Sequence, residues 1–155
     1  MSQRIDASSR LIRAPALEVY EAFSKPDAME KWLPPTSMKG KMLSFDFRVG
    51  GGYRMRLTYE DSNEGRGKTS PESDEVDVRL VRIEPGQRIV QEVDFDSDDP
   101  SFTGTMRMTW IFEPAQGGTL VQVRAENVPE GIGPEDHQAG LDSSLANLAR
   151  FVEEG

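Results

Sequence analysis

The amino-acid sequence predicts an α+β domain in which an antiparallel sheet bends around one long C-terminal helix, with two short helices near the N-terminus. Two hydrophobic periods carry this expectation. From Met38 to Asn127 apolar residues recur mostly at every second position, as on strands with one buried and one wet face. From Pro134 the period becomes helical: Leu141, Leu145, Leu148 and Val152 fall at i, i+4, i+7 and i+11, one continuous apolar stripe. The order is strand, two short helices, a run of roughly five or six strands, then the long helix. A sheet of that kind wraps the last helix and often leaves a cavity beneath it.

Taken in order, residues 3–13 can form a first strand. Pro15 opens a short helix whose apolar face holds Ala16, Val19, Tyr20 and Phe23. Ser24-Lys25-Pro26-Asp27 reads as a stop and a new start, leading into a second short helix from Pro26 to Leu33 that Pro34-Pro35 ends. Phe45, Phe47 and Val49 then alternate with Asp46 and Arg48, and Gly50-Gly51-Gly52 permits a sharp turn or bulge. Tyr53, Met55, Leu57 and Tyr59 alternate with Arg54, Arg56 and Thr58. Residues 60–75 carry no large apolar side chain and are expected to form a mobile hairpin loop.

Further strands are expected at Val76–Ile83 and Ile89–Phe95, separated by the turn Glu84-Pro85-Gly86-Gln87. Met106, Met108, Trp110 and Phe112 form the clearest inward row. Gly117-Gly118 turns the chain into Thr119–Asn127, with Val121 and Val123 inward. The final helix is expected over 134–153, with Pro134 at its first position and Glu135 and Asp136 at the positive end of its dipole. No internal repeat or linker divides the chain, so residues 1–155 read as one domain.

Composition narrows the function classes. The net charge is −9, from 27 acidic and 18 basic residues. A nucleic-acid binder needs a basic footprint, because phosphate neutralisation supplies most of its affinity. Here Arg and Lys are scattered among acids, so neither nucleic acid nor an anionic membrane surface is an expected partner. The two short N-terminal helices are a helix–turn–helix by geometry alone, with Lys31 the single basic residue on the second and no basic face to read DNA. No apolar run approaches the ~20 residues that span a bilayer, and the first ten residues lack the apolar core of a secretory signal. The expected location is cytoplasmic. Without cysteine there is neither a disulfide framework nor thiolate chemistry.

Several short pieces recur together in one known group of proteins. They are Ala14-Pro15 followed by Val19-Tyr20-Glu21-Ala22-Phe23, then Pro26-Asp27 and Trp32. Next come Phe47-Arg48-Val49-Gly50-Gly51-Gly52-Tyr53 and Leu80-Val81-Arg82-Ile83-Glu84-Pro85. Last is Pro129-Glu130-Gly131-Ile132 through Glu135-Asp136, Gly140, Ser144-Leu145 and Leu148-Ala149. In this order and spacing the chain resembles the START-like (SRPBCC) superfamily, and within it the bacterial homologues of the activator of heat-shock protein 90 ATPase. The resemblance implies a helix-grip fold with a hydrophobic cavity, and it does not imply one function: members include lipid carriers, polyketide cyclases and chaperone activators. Two departures stand out. Many relatives carry Trp after the glycine that aligns with Gly140, where this chain has Leu141. The chaperone activator also has an additional N-terminal domain, for which this chain is not expected to have room.

His137 is the only histidine, so imidazole chemistry would run through it. It lies close to the Leu141/Leu145 stripe and suits either a general base at a cavity mouth or a locally bonded residue at a helix start. The expectation assigns no catalytic residue and keeps His137 as the one candidate. A lone His without Cys does not make a metal site, and no metal or cofactor is expected. Glu92 and Asp94 share one face of a strand with Arg88, which suits a solvated face rather than an acid–base pair. Asp96-Ser97-Asp98-Asp99 lacks the spacing of a calcium loop and reads as a charged turn. Gly50-Gly51-Gly52 precedes a strand rather than a helix, so it bends the backbone and cradles no phosphate.

Trp32, Tyr53, Met55, Met106, Met108 and Trp110 form an adaptable set that either fills the core or lines a site for apolar ligands. The expected cavity joins these to Tyr59, His137, Leu141 and Leu145, with Tyr53, Tyr59 and His137 as polar handles. The expected function is binding of a small hydrophobic or amphipathic molecule between helix and sheet, by a monomer or homodimer. One alternative is a cyclase- or hydratase-type enzyme using His137 or a buried carboxylate. Another is a module that, like the chaperone activator, binds a chaperone partner.

Overall fold

Residues 4–34, 38–59, 73–95 and 104–154 are described by a computed structural model. Its elements in chain order are β1 (Ile5–Ile12), α1 (Ala16–Glu21), α2 (Pro26–Trp32), β2 (Met38–Asp46), β3 (Gly52–Tyr59), β4 (Ser73–Glu84), β5 (Arg88–Phe95), β6 (Thr105–Ala115), β7 (Gly118–Glu126) and α3 (Pro134–Glu154). Among the described residues the strands form one curved antiparallel sheet in the order β1-β7-β6-β5-β4-β3-β2. Strands β2 to β6 each pair with the next in sequence. The first strand instead pairs with the last, Ile5 opposite Glu126 and Ile12 opposite Thr119. Because β1 and β2 lie on opposite edges, α1 and α2 carry the chain across the sheet between them. This is an α+β helix-grip arrangement.

The helix α3 begins at Pro134 and buries Leu141, Leu145 and Leu148, with Val152 half-buried near its end. It lies against β1 and is tied there by polar bonds: Gln138 Nε2 donates to the carbonyl of Ala7 at 3.0 Å, and Ser8 Oγ bonds Asp142. The first short helix stops at Glu21, yet the turn continues: the Phe23 amide donates to the Tyr20 carbonyl at 2.9 Å. That extra turn drops Phe23 into the core, where its ring meets Trp32 at 4.8 Å and Trp110 at 5.0 Å, edge to face. Such aromatic pairs contribute about 0.5–1.5 kcal/mol each beyond area burial. Trp32 is fully buried, and its indole N–H is satisfied by the Ala22 carbonyl at 3.0 Å.

Two expectations change in detail. Val49 does not continue the inward row of Phe45 and Phe47; it is 58% exposed. Strand β2 ends at Asp46, the Arg48 amide turns back to the Asp46 carbonyl, and Gly51 to that of Arg48, so side-chain alternation lapses. A register shift between Met42 and Ser44 leaves Leu43 exposed on the same strand. The hairpin expected over 60–75 is shorter, because β4 starts at Ser73, opposite Thr58. Ladder bonds to β3 extend the strand where polar side chains gave no signal. Residues 60–72, and with them the expected mobility, lie outside the described residues, as do Asp96-Ser97-Asp98-Asp99.

The glycines at 50–52 act through the backbone. Gly50 takes a φ of +91°, and a Cβ on Gly52 would stand 2.0 Å from the Val78 carbonyl oxygen. Only glycine fits so close to the neighbouring strand.

Candidate functional site

Between α3 and the sheet lies a cavity of about 330 Å³. Its floor comes from strand alternation. Tyr53, Val78, Val93 and Met106 are successive cross-strand neighbours on one inward row; Gln91 and Met108 face each other on the next. Met29, Trp32 and Leu33 close one side from α2 and its end. From α3 come His137, Gly140, Leu141 and Ser144, which at i, i+3, i+4 and i+7 share one helical face.

Of the side chains expected there, Trp32, Tyr53, Met55, Met106, Met108, Trp110, His137 and Leu141 border this space. Leu145 does not; it sits one turn further along α3, fully buried in the solid core. The side chain of Tyr59 lies outside the described residues.

Gln91 lies among the apolar walls at 4% exposure. Its Oε1 accepts the Trp110 indole N–H at 3.2 Å. An indole nitrogen only donates, so this contact identifies the amide oxygen, and the amide N–H groups point the other way. One of them bonds Tyr53, whose hydroxyl burial pushes well above its ordinary value despite that bond. The phenol therefore stays neutral at any physiological pH. A buried relay, Trp110 to Gln91 to Tyr53, runs along the floor of an otherwise apolar space. The sequence carried a signal for it: Gln91 shares its alternation with Ile89 and Val93, on the face opposite Glu92 and Asp94.

A second polar feature stands where α3 meets the sheet edge. Nδ1 of His137 is 2.6 Å from Oδ2 of Asp6, and the Arg4 guanidinium meets the same oxygen at 3.1 Å. The Asp6 and His137 side chains are only 10% and 13% exposed. Burial alone would raise the Asp6 carboxyl, but the bonds from His137 and Arg4, with their charge, hold it below its ordinary range. An ionised carboxylate only accepts, so Nδ1 carries a proton toward Asp6 and Nε2 is the ring nitrogen that Asp6 leaves unengaged. Asp6 had no motif to mark it, being separated from His137 by 131 positions.

Glu92 and Asp94 form a ladder on the outer face. Glu92 accepts from Arg107 and from Arg79, each at 3.0 Å; Asp94 accepts from Thr105 at 2.6 Å and from Arg79 at 2.5 Å. These bonds hold both carboxyls below their ordinary values, and neither borders the cavity. Among the described residues no three His, Cys, Asp or Glu side chains come together to hold a metal ion, and no helix is long and apolar enough to cross a membrane.

The family model described as Activator of Hsp90 ATPase homolog 1-like protein matches residues 13–153. The chain belongs to this family. Among solved structures, a Chromobacterium violaceum protein is 32% identical with a TM-score of 0.84, covering 96% of each chain. The Activator of Hsp90 ATPase homolog 1-like protein from Aeromonas hydrophila is 20% identical with a TM-score of 0.73, over 97% of this chain and 93% of that one. DynU16, a protein in the dynemicin biosynthetic locus, is 20% identical with a TM-score of 0.68, over 98% of this chain and 48% of its own. The last two likenesses concern the fold alone. No curated protein gives a significant match. The match to the Activator of Hsp90 ATPase homolog 1-like family takes in both short helices, β2 to β7 and nearly all of α3. It begins after β1, so Asp6 lies outside it while His137 lies within.

Proposed function

We propose that residues 1–155 act as one START-like domain that binds a small apolar or amphipathic molecule between α3 and the sheet. The observation that carries this reading is the wall of the cavity. Tyr53, Gln91, Trp110, His137 and Ser144 are the side chains with polar atoms there, and no Lys, Arg, Asp or Glu is among the described residues that line it. A concave, mostly apolar space with few convergent polar groups suits a small-molecule site, and its volume stands at the lower end of the ~300–1,000 Å³ common for such sites. Native mass spectrometry of protein purified from its own cells tests it: a co-purified small molecule supports the reading. Protein that arrives empty and also ignores apolar fluorescent probes contradicts it.

The Asp6–His137 pair favours a second reading, an enzyme of cyclase or hydratase type. A carboxylate on Nδ1 and a ring bordering the cavity are what a general base at Nε2 needs. The family description supports a further partner, a chaperone of the Hsp90 class, which calorimetric titration of this chain into Hsp90 tests directly.

A further inference from the structure

The cavity's polar groups restrict the charge and the hydrogen-bonding character of what it takes. No ammonium, guanidinium or carboxylate borders it among the described residues. The one basic side chain that does, His137, is already engaged by Asp6. An anion seated against Tyr53 would be buried without a counter-charge, and so would a cation; either costs far more than a neutral group.

The relay on the floor settles which neutral group suits it. Gln91 Oε1 accepts the Trp110 indole N–H. The hydrogens left over on that relay are the Tyr53 hydroxyl proton and the second Gln91 amide proton. A hydrocarbon against them would leave these donors unmatched, and a donor-only ligand would repeat the mismatch. A carbonyl oxygen, with two lone pairs, answers both. Burial keeps the Tyr53 phenol protonated, so the donor is not lost to ionisation.

We infer that the ligand is a compact, uncharged molecule whose carbonyl-type oxygen seats on Tyr53 and Gln91 while its apolar body packs against Met55, Met106 and Trp110. This rests on the binding reading above and narrows it to a chemical class.

Three matched probes separate the two. Methyl naphthyl ketone carries the acceptor, isopropenyl naphthalene is its hydrocarbon isostere, and naphthoate is the anion of similar size. Each is titrated into the full chain at pH 8, followed by tryptophan fluorescence and calorimetry. The ketone is expected to bind about three- to tenfold more tightly than the hydrocarbon, the net worth of one ordinary hydrogen bond. In a cavity without donors the order would reverse, because the carbonyl would be desolvated for nothing. Tyr53→Phe is expected to remove most of the ketone's advantage, weakening the ketone and relieving the hydrocarbon of an unmatched donor. The wild-type order needs no variant, so a Tyr53→Phe protein that failed to fold would leave the test intact. Hydrocarbon binding as tight as ketone binding overturns the carbonyl inference while the cavity reading stands. Naphthoate binding as tight as the ketone overturns the requirement for a neutral ligand. If none of the three binds, the binding reading itself falls, and the inference with it.

Discussion

Nδ1 of His137, in the first turn of α3, lies 2.6 Å from Oδ2 of Asp6 on the edge strand β1. The contact fastens the start of the long helix to the first strand of the chain, and it has a pH signature. Asp6 titrates below its ordinary value of 3.8 when folded, so in acid the folded protein holds fewer protons than the unfolded chain, and stability rises with pH there. The contribution is complete above about pH 5 and is lost as the pH falls through about 4 and below. Asp6→Asn should flatten the acid limb of a plot of stability against pH and cost about 1–3 kcal/mol at neutral pH. Urea midpoints from pH 3 to 7 measure both. An acid limb of unchanged slope would show that this carboxylate gains nothing from its partners.

The same pair separates a binder from an enzyme. With a single histidine, no second imidazole can substitute. General acid–base catalysis contributes about 10²–10⁴-fold, so His137→Gln should abolish most turnover in an imidazole-dependent enzyme. In a binding protein the change should leave apolar ligand affinity within about 1 kcal/mol. The binding outcome is expected. A substrate whose turnover collapses in the variant while its affinity persists would establish the enzyme.

Trp110 tests how hollow the site is. Its ring lies edge to face with Trp32 at 5.9 Å and with Phe23 at 5.0 Å, and it also borders the cavity. Trp110→Ala in solid core would cost about 3–5 kcal/mol, and less where the ring already borders open space. A loss below that range is expected, together with a fluorescence change on probe entry. A full core-sized loss with no response to any apolar probe would leave a packed scaffold in place of a binding site.

Two glycines should respond in opposite directions. A Cβ at Gly52 meets the Val78 carbonyl oxygen at 2.0 Å, whereas one at Gly140 meets nothing within 4 Å. Gly52→Ala should destabilise by about 1–3 kcal/mol through displacement of β3 from β4. Gly140→Ala, inside α3, should stabilise by about 0.5–1 kcal/mol, since glycine is poor in a helix interior. Thermal unfolding of both variants decides this; a stabilised Gly52→Ala would refute the close approach of the strands.

The periodicities were enough to determine α3, its buried stripe and the inward row from Met106 to Phe112, because helix and strand side-chain spacing is a local property of the chain. They failed where alternation was interrupted by backbone hydrogen bonding, at Val49, and where pairing extended a polar strand, at Ser73. Eight of the residues expected around the cavity, Trp32, Tyr53, Met55, Met106, Met108, Trp110, His137 and Leu141, border it because facing inward is also a local property. Only the tertiary structure decided that Leu145 packs solidly while Leu141 one turn earlier borders open space, since that depends on the distance between helix and sheet. It alone placed Asp6 against His137, through the pairing of β1 with β7 that brings the N-terminal strand beneath the C-terminal helix. It likewise turned Gln91 from one polar residue in a strand into the centre of a buried relay. That follows from the cross-strand neighbours that sheet order supplies, which no window along the chain contains.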